Sequence, residues 1–434
     1  MRFFFPDSQD QVDPSFDFVT EQRSPHRVRQ RDDQYAHEAL GEAVYSGLLV
    51  SKAIVDGIGG GAGKYTLAQR SRLYREGVRE FFRLNRVAGP PLQTMGDCGA
   101  FSYVREERPP FSVDEVIDFY EGCGFDIGVS VDHVILAYDA QADRPLLGAD
   151  SVPAAWRDRQ ELTLDLAADF LRAHASRHCR FEPMGVAQGW SPGSYARAVK
   201  KLQDIGFGRI ALGGMVPLKT KEILDSLREA NAVRRPGVTF HLFGVTRCEQ
   251  VGEFQQYGVA SFDSTSPFRQ AFKDDKNNYY AMDQAFLALR VPQVDGNPRL
   301  RNMIRSGEVD QRLAMKLERA CLESLRRFDA GGCETAEALG ALRRYEELFD
   351  PTHDRSAEYR RTLDARPWKD CDCRICRGIG IDVIVFRGSD RNKRRGFHNL
   401  HVFSRRLERE LESARATRRE ARRSDGAATT HRGH

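Results

Sequence analysis

The chain has 434 residues, 41% of them hydrophobic and 29% charged, with a formal net charge of +4, enough for one large barrel with appendages or for two or three ordinary domains. No apolar run approaches the roughly 18–20 residues that span a bilayer. The opening Met-Arg-Phe-Phe-Phe turns polar at Pro6 and Asp7, too soon for a signal-peptide core, so a cytoplasmic protein is expected.

Short apolar segments predict strands at residues 2–5, 47–54 and 93–96. Between the second and third, Gly-Gly-Gly-Ala-Gly-Lys-Tyr65 resembles a phosphate loop with the wrong spacing: Ile58 stands where a glycine is needed and Tyr65 where a Ser or Thr is needed. A flexible loop is the better reading. A helix is expected from Ser112, with a capping box to Glu115 and apolar Val113, Val116, Ile117 and Tyr120 at helical spacing. Strands follow at 125–132 and 184–188. Gly189-Trp190-Ser191-Pro192-Gly193 then matches a nucleophile elbow, but Pro192 has no N–H to give an oxyanion, so a turn into the next helix is expected instead. That helix carries Tyr195, Ala198, Val199 and Leu202 on one face. A strand at 209–213, a helix with Ile223, Leu224 and Leu227, and strands at 238–243 and 259–262 complete the run.

Strands alternating with amphipathic helices make a parallel sheet, and eight of them point to a closed (β/α)₈ TIM barrel of the α/β class. Asp97, Asp132, Gln188, Gly213, Gly214 and Asp263 fall where these strands end. In such a barrel the active site lies at the C-terminal ends of the strands.

The expected organisation is a barrel over residues 1–296, a charged helical insertion over 297–365, a metal-binding subdomain over 366–404, and a basic C-terminal helix with a disordered tail over 405–434. A further short strand is expected at 381–386. Arg391, Lys393, Arg394 and Arg395, followed by Arg405, Arg406, Arg415, Arg418, Arg419, Arg422 and Arg423, fit either a solvated helix or a phosphate-binding one. Nine cysteines without a secretion signal are not a disulfide framework. Cys371, Cys373 and Cys376 lie within six residues, with His398 and His401 further along. Three thiolates and one imidazole form a closed tetrahedral set, for which structural Zn2+ is the first choice.

Several segments together resemble the tRNA-guanine transglycosylase superfamily. Asp97-Cys98-Gly99-Ala100-Phe101 is similar to its D-S-G-G-[FY] segment, and the strand ending at Asp132 to its purine-reading strand. Gly185-Val186-Ala187-Gln188-Gly189 matches G-[IV]-x-Q-G, and Ala211-Leu212-Gly213-Gly214-Met215 resembles A-[IV]-G-G-[LM]. His241-Leu242-Phe243-Gly244-Val245 resembles Y-L-M-G-V. Phe262-Asp263 with Pro267 and Arg269 resembles F-D-C-x-x-P-x-R, with Ser264 replacing the cysteine. The three cysteines with His398-Asn399 resemble the zinc motif, which favours His398 over His401. The resemblance covers roughly residues 90–269 and 371–405, in order throughout. About a hundred residues separate Phe268 from Cys371, more than in the tRNA enzymes, and no PUA-like RNA-binding domain follows. The opening Pro6-Asp7-Ser8-Gln9-Asp10, Asp13-Pro14 and Arg29-Gln30-Arg31-Asp32-Asp33 resemble the branch that places 7-deazaguanines in DNA.

The resemblance implies a pentosyltransferase that replaces guanine in DNA with a preQ0-like 7-deazaguanine through an aspartyl-glycosyl intermediate. Asp263 would be the nucleophile and Asp97 the acid/base. Asp132, Gln188, Gly213 and Gly214 would read the purine edge, and Phe101 and Phe243 would stack on its faces. Implied partners are DNA, a free 7-deazaguanine base, and a helper ATPase that opens the duplex, because the base must be unstacked at a cost of a few kcal/mol. The rival readings are the same chemistry on tRNA, and a noncatalytic zinc-stabilised nucleic-acid-binding barrel.

Overall fold

The computed structural model describes residues 1–58, 61, 63–142, 152–273 and 277–430. The chain folds as two compact units, one of residues 1–9, 45–265 and 407–434, the other of residues 10–44 and 266–406.

The first unit is the closed parallel barrel expected from the sequence. Its strands are β1 (Arg2–Pro6), β2 (Gly47–Ser51), β3 (Gln93–Asp97), β4 (Ile127–Val129), β5 (Glu182–Ala187), β6 (Arg209–Leu212), β7 (Thr239–Leu242) and β8 (Val259–Asp263), paired in sequence order. Closure comes from β1 on β8, where Phe3 pairs with Phe262 and Phe4 with Asp263. Inward side chains of alternating residues fill the interior: Phe4, Leu49, Met95, Ile127, Val129, Met184, Val186 and Ala211. Outside, Tyr120 on the helix Val113–Cys123 packs against Gly96 of β3 and Gly128 of β4, where any Cβ would lie within 2.6 Å of its ring. Its hydroxyl donates to the Val129 carbonyl at 2.9 Å, fixing the helix against the strands. The capping box expected at Ser112 and Glu115 forms, and Ser191 caps the helix Pro192–Ile205, as expected of a turn into a helix.

Some strands are shorter than their apolar runs. The segment at 47–54 leaves β2 at Ser51 and turns into the helix Lys52–Asp56, and only Ile127–Val129 of the 125–132 run keeps strand pairing. Of the glycine-rich loop, residues 59, 60 and 62 lie outside the described residues. Tyr65, at its end, is buried and donates to Asp7 Oδ2 at 2.6 Å.

In the second unit, residues 297–365 hold four helices, Pro298–Arg305, Gln311–Asp329, Thr335–Phe349 and Ser356–Ala365. The strand expected at 381–386 is mostly a 3₁₀ turn, Gly380–Val383, with only Val385–Phe386 pairing with Leu289–Arg290. The first stretch of the basic run, Arg391 to Arg395, is turned into the unit and does not form an exposed surface. Arg391, Arg394 and Arg395 are buried. Arg391 binds Asp382 and Glu21, Arg394 binds Asp390 and the Asp13 carbonyl, and Lys393 donates to the Gln11 carbonyl. Arg395 satisfies the carbonyls of Ala271, Val383 and Val385. These cations tie segment 10–44 and other backbone into the unit. The helix carrying them runs Gly388–Thr430, through part of the tail that composition assigns to disorder; residues 431–434 lie outside the described residues. Among the described residues no helix is long and apolar enough to cross a membrane.

Candidate active site

A cavity of about 260 Å³ opens at the C-terminal ends of the barrel strands. All eight residues expected at the site outside the metal cluster line it: Asp97, Phe101, Asp132, Gln188, Gly213, Gly214, Phe243 and Asp263. Strand geometry explains the convergence. Asp97 and Asp263 are the last residues of β3 and β8, Gln188, Gly213 and Phe243 each follow their strand directly, and Asp132 lies three residues beyond β4.

Asp97 is held by Ser51, whose hydroxyl donates to Oδ2 at 2.7 Å, and by the Gly99 N–H at 3.0 Å. Burial, reinforced by the negative charge of Asp263, pushes its carboxyl up to about 6 despite these donors. Asp132 is pushed further, to about 7, by burial and by Asp97. It accepts from the Cys98 thiol at 3.1 Å on one oxygen and from Gln188 Nε2 at 2.6 Å on the other. Tyr103 closes this network, donating to Cys98 Sγ at 2.9 Å.

Gln188 is positioned from both ends. Its side-chain oxygen accepts from the Ile135 N–H at 3.2 Å, and its backbone carbonyl accepts from Gln160 at 2.6 Å. Glycine is required beside it. A Cβ at Gly213 would sit 2.1 Å from Gln188 Nε2, and one at Gly214, which holds φ +71°, would sit 2.3 Å from the Ile135 carbonyl. Phe101 is 58% exposed at the mouth, whereas Phe243 packs against the barrel core. The arrangement is three carboxylates, an amide and a bare glycine backbone in one slot, with aromatic rings at its edge. It suits a flat heterocycle with hydrogen-bonding edges, and nucleophilic or acid/base work beside it.

Sequence reasoning missed the residues that hold the cavity-lining set in place: Ser51, Cys98, Tyr103, Gln160 and His241. The signal for His241 and Cys98 was present, since each departs from the motif it sits in. Ser51 and Gln160 carry no motif, and only the fold brings them in.

The second unit holds the metal-ligand cluster. Cys371, Cys373 and Cys376 place their sulfurs 3.4, 3.6 and 3.3 Å from His398 Nδ1. A tetrahedral ion with bonds of about 2.3 Å to sulfur and about 2.05 Å to nitrogen needs these edges near 3.6 Å, so the donors fit a metal ion of that size. His398 Nε2 lies 2.8 Å from the Tyr280 carbonyl, so Nε2 carries the proton and Nδ1 turns its lone pair to the sulfurs. Tyr279 stacks on the imidazole at 4.0 Å and reaches Cys376 Sγ at 3.2 Å. His401 is engaged elsewhere, with Glu42 at 2.6 Å and Asp372 at 3.3 Å, and stays outside the four-residue set.

No family model matches the chain. A curated protein of Salmonella montevideo described as "DNA-guanine transglycosylase" is 48% identical over 412 residues, spanning 94% of this chain and 97% of that one. Identity at that level, over nearly the whole of both chains, makes this chain a member of the DNA-guanine transglycosylase family.

Proposed function

We propose that this protein exchanges guanine in DNA for a 7-deazaguanine base of the preQ0 kind, through a covalent bond between Asp263 and the deoxyribose. The observation that carries the reading is the convergence of Asp97 and Asp263 with Asp132, Gln188 and Gly213–Gly214 in one cavity. The DNA substrate is supported by the relative described as a DNA-guanine transglycosylase.

In the first half-reaction the guanine N9–C1′ bond breaks and a carboxylate oxygen of Asp263 bonds to C1′, as a retaining glycosidase does. Asp97 gives its proton to the departing guanine. In the second half-reaction N9 of the incoming base attacks C1′, its proton passes to Asp97, and Asp263 is released as carboxylate. No proton is gained or lost over the cycle. A carboxyl raised to about 6 is suited to this, because near neutrality it both gives and takes a proton at little cost. Asp132 and Gln188 read the purine edge, the Gly213–Gly214 backbone approaches it without steric hindrance, and Phe101 and Phe243 cover its faces.

Cys371, Cys373, Cys376 and His398 would hold zinc. With all four positions filled by protein, the ion has no open site and serves to pin its segment. Thiols that must stay reduced to bind metal accord with a cytoplasmic location. A helper ATPase that opens duplex DNA would meet the unstacking cost.

The test is incubation with a free 7-deazaguanine base and either single-stranded DNA, duplex DNA or bulk tRNA, followed by nuclease digestion and mass spectrometry. Deazadeoxynucleosides that vanish with Asp263→Ala are expected. Modified tRNA with unmodified DNA overturns the substrate, and full activity in Asp263→Ala overturns the mechanism.

A further inference from the structure

The mechanism gives no task to the buried imidazole beside Asp263. His241 lies on β7, its side chain fully buried, directly beneath the cavity-lining Phe243 and beside Asp263. Its Nε2 lies 3.1 Å from Asp263 Oδ1, and its Nδ1 lies 2.8 Å from the hydroxyl of Ser261. A carboxylate only accepts, so Nε2 carries the proton. Nδ1 of the neutral ring is then the acceptor, and the Ser261 hydroxyl donates to it. A single neutral tautomer satisfies the whole chain from Ser261 to Asp263.

The backbone N–H of Gly244 also donates to Asp263 Oδ1, at 3.1 Å. Both hydrogen bonds to this carboxylate among the described residues therefore fall on one oxygen. The ring is clamped in turn, with Phe4 edge-on at 6.0 Å and Phe243 edge-on at 4.9 Å.

We propose that His241, braced by Ser261, is a positioning residue for Asp263: it anchors Oδ1 so that Oδ2 is the oxygen that attacks C1′. The inference rests on the reading of Asp263 as the nucleophile. Anchoring fixes the carboxylate plane, so the attacking oxygen does not have to be oriented during the reaction. The residue also borders Phe243, so a bulky change there threatens base binding as well as attack, and the two effects must be read separately.

The experiment compares the wild-type protein with His241→Phe, His241→Gln, Ser261→Ala and Asp263→Ala. It measures kcat and KM for the free base, the single-turnover rate of guanine release from DNA, and the thermal midpoint. His241→Phe removes one hydrogen bond to a charged group, so kcat and guanine release fall about ten- to hundredfold while KM stays near the wild-type value. His241→Gln, whose amide Nε2 also donates, recovers most of the loss. Ser261→Ala, which removes the hydrogen bond that braces the ring from behind, lies between them. Wild-type guanine release in His241→Phe, with Asp263→Ala inactive, overturns this inference alone. Equal losses in His241→Phe and His241→Gln, with KM raised in both, also overturn it, because they mark a packing role. If His241→Phe does not fold, wild-type release in Ser261→Ala overturns it. Exchange surviving in Asp263→Ala overturns the nucleophile reading itself.

Discussion

Replacing Asp97 by asparagine should make the protein more stable at neutral pH while abolishing base exchange. The folded protein holds this carboxyl at about 6 against an ordinary value of 3.8, chiefly because it is buried. A raised carboxyl binds its proton more tightly in the folded state than in the unfolded one. Stability is therefore lost as pH rises through the window from about 4 to about 6, and the loss is complete above it. Worked from those two values, ionising Asp97 costs about 1.5 kcal/mol at pH 5 and about 3 kcal/mol at pH 8. Asparagine escapes this cost and fits the site, because its amide oxygen can take the hydrogen bonds that Ser51 and Gly99 donate to Oδ2. Removing the charge also relieves Asp132, whose own carboxyl Asp97 pushes upward, and so acts in the same direction. The assay is urea unfolding of wild type and Asp97→Asn at pH 5 and pH 8. The stability gap should roughly double between the two, and in a thermal melt at pH 8, at about 2–4 °C per kcal/mol for a unit of this size, the midpoint should rise by several degrees. A variant that is no more stable than wild type at pH 8, or a gap that does not widen from pH 5, would falsify the view that burial of a working carboxylate is what raises it.

Gly213→Ala should weaken binding of the free base by about tenfold in calorimetry, because its Cβ displaces the Gln188 amide from Asp132; unchanged affinity would separate that amide from base reading. If the four-residue cluster holds the proposed zinc, elemental analysis should find about one metal ion per chain in the wild type, a trace in Cys373→Ser and His398→Ala, and the wild-type amount in His401→Ala. Arg395→Met leaves three buried carbonyls and the Asn392 side chain without their donor, and should cost about 3 kcal/mol or more in unfolding while leaving DNA affinity in the folded protein unchanged; weaker DNA binding at wild-type stability would return this arginine to the phosphate-binding surface.

The features that sequence made legible and those it hid differ in physical kind. Asp97, Asp132, Gln188, Gly213 and Asp263 were placed at one rim because strand period, strand count and the polarity of strand ends are local properties, and closing a parallel barrel turns five local ends into one site. The basic run at Arg391–Arg395 misled because charge is visible in sequence while burial is not. Glu21, some 370 residues away, decides that Arg391 is a structural cation and not a surface one. The same reason hides the layer behind the site. Ser51 reaches Asp97 across 46 residues and Gln160 reaches the Gln188 carbonyl across 28, and neither separation follows a helical or strand period. His241 is the intermediate case. Its position on β7, two residues before the cavity-lining Phe243 that follows the strand, puts both side chains on one side of the chain, and Ser261 stands two residues before Asp263 on β8 in the same way. Alternation thus placed a histidine and a serine beneath a phenylalanine and an aspartate. What it could not supply was the register of β7 on β8, with His241 opposite Ser261, which turns Ser261, His241 and Asp263 into a hydrogen-bonded line ending on the carboxylate.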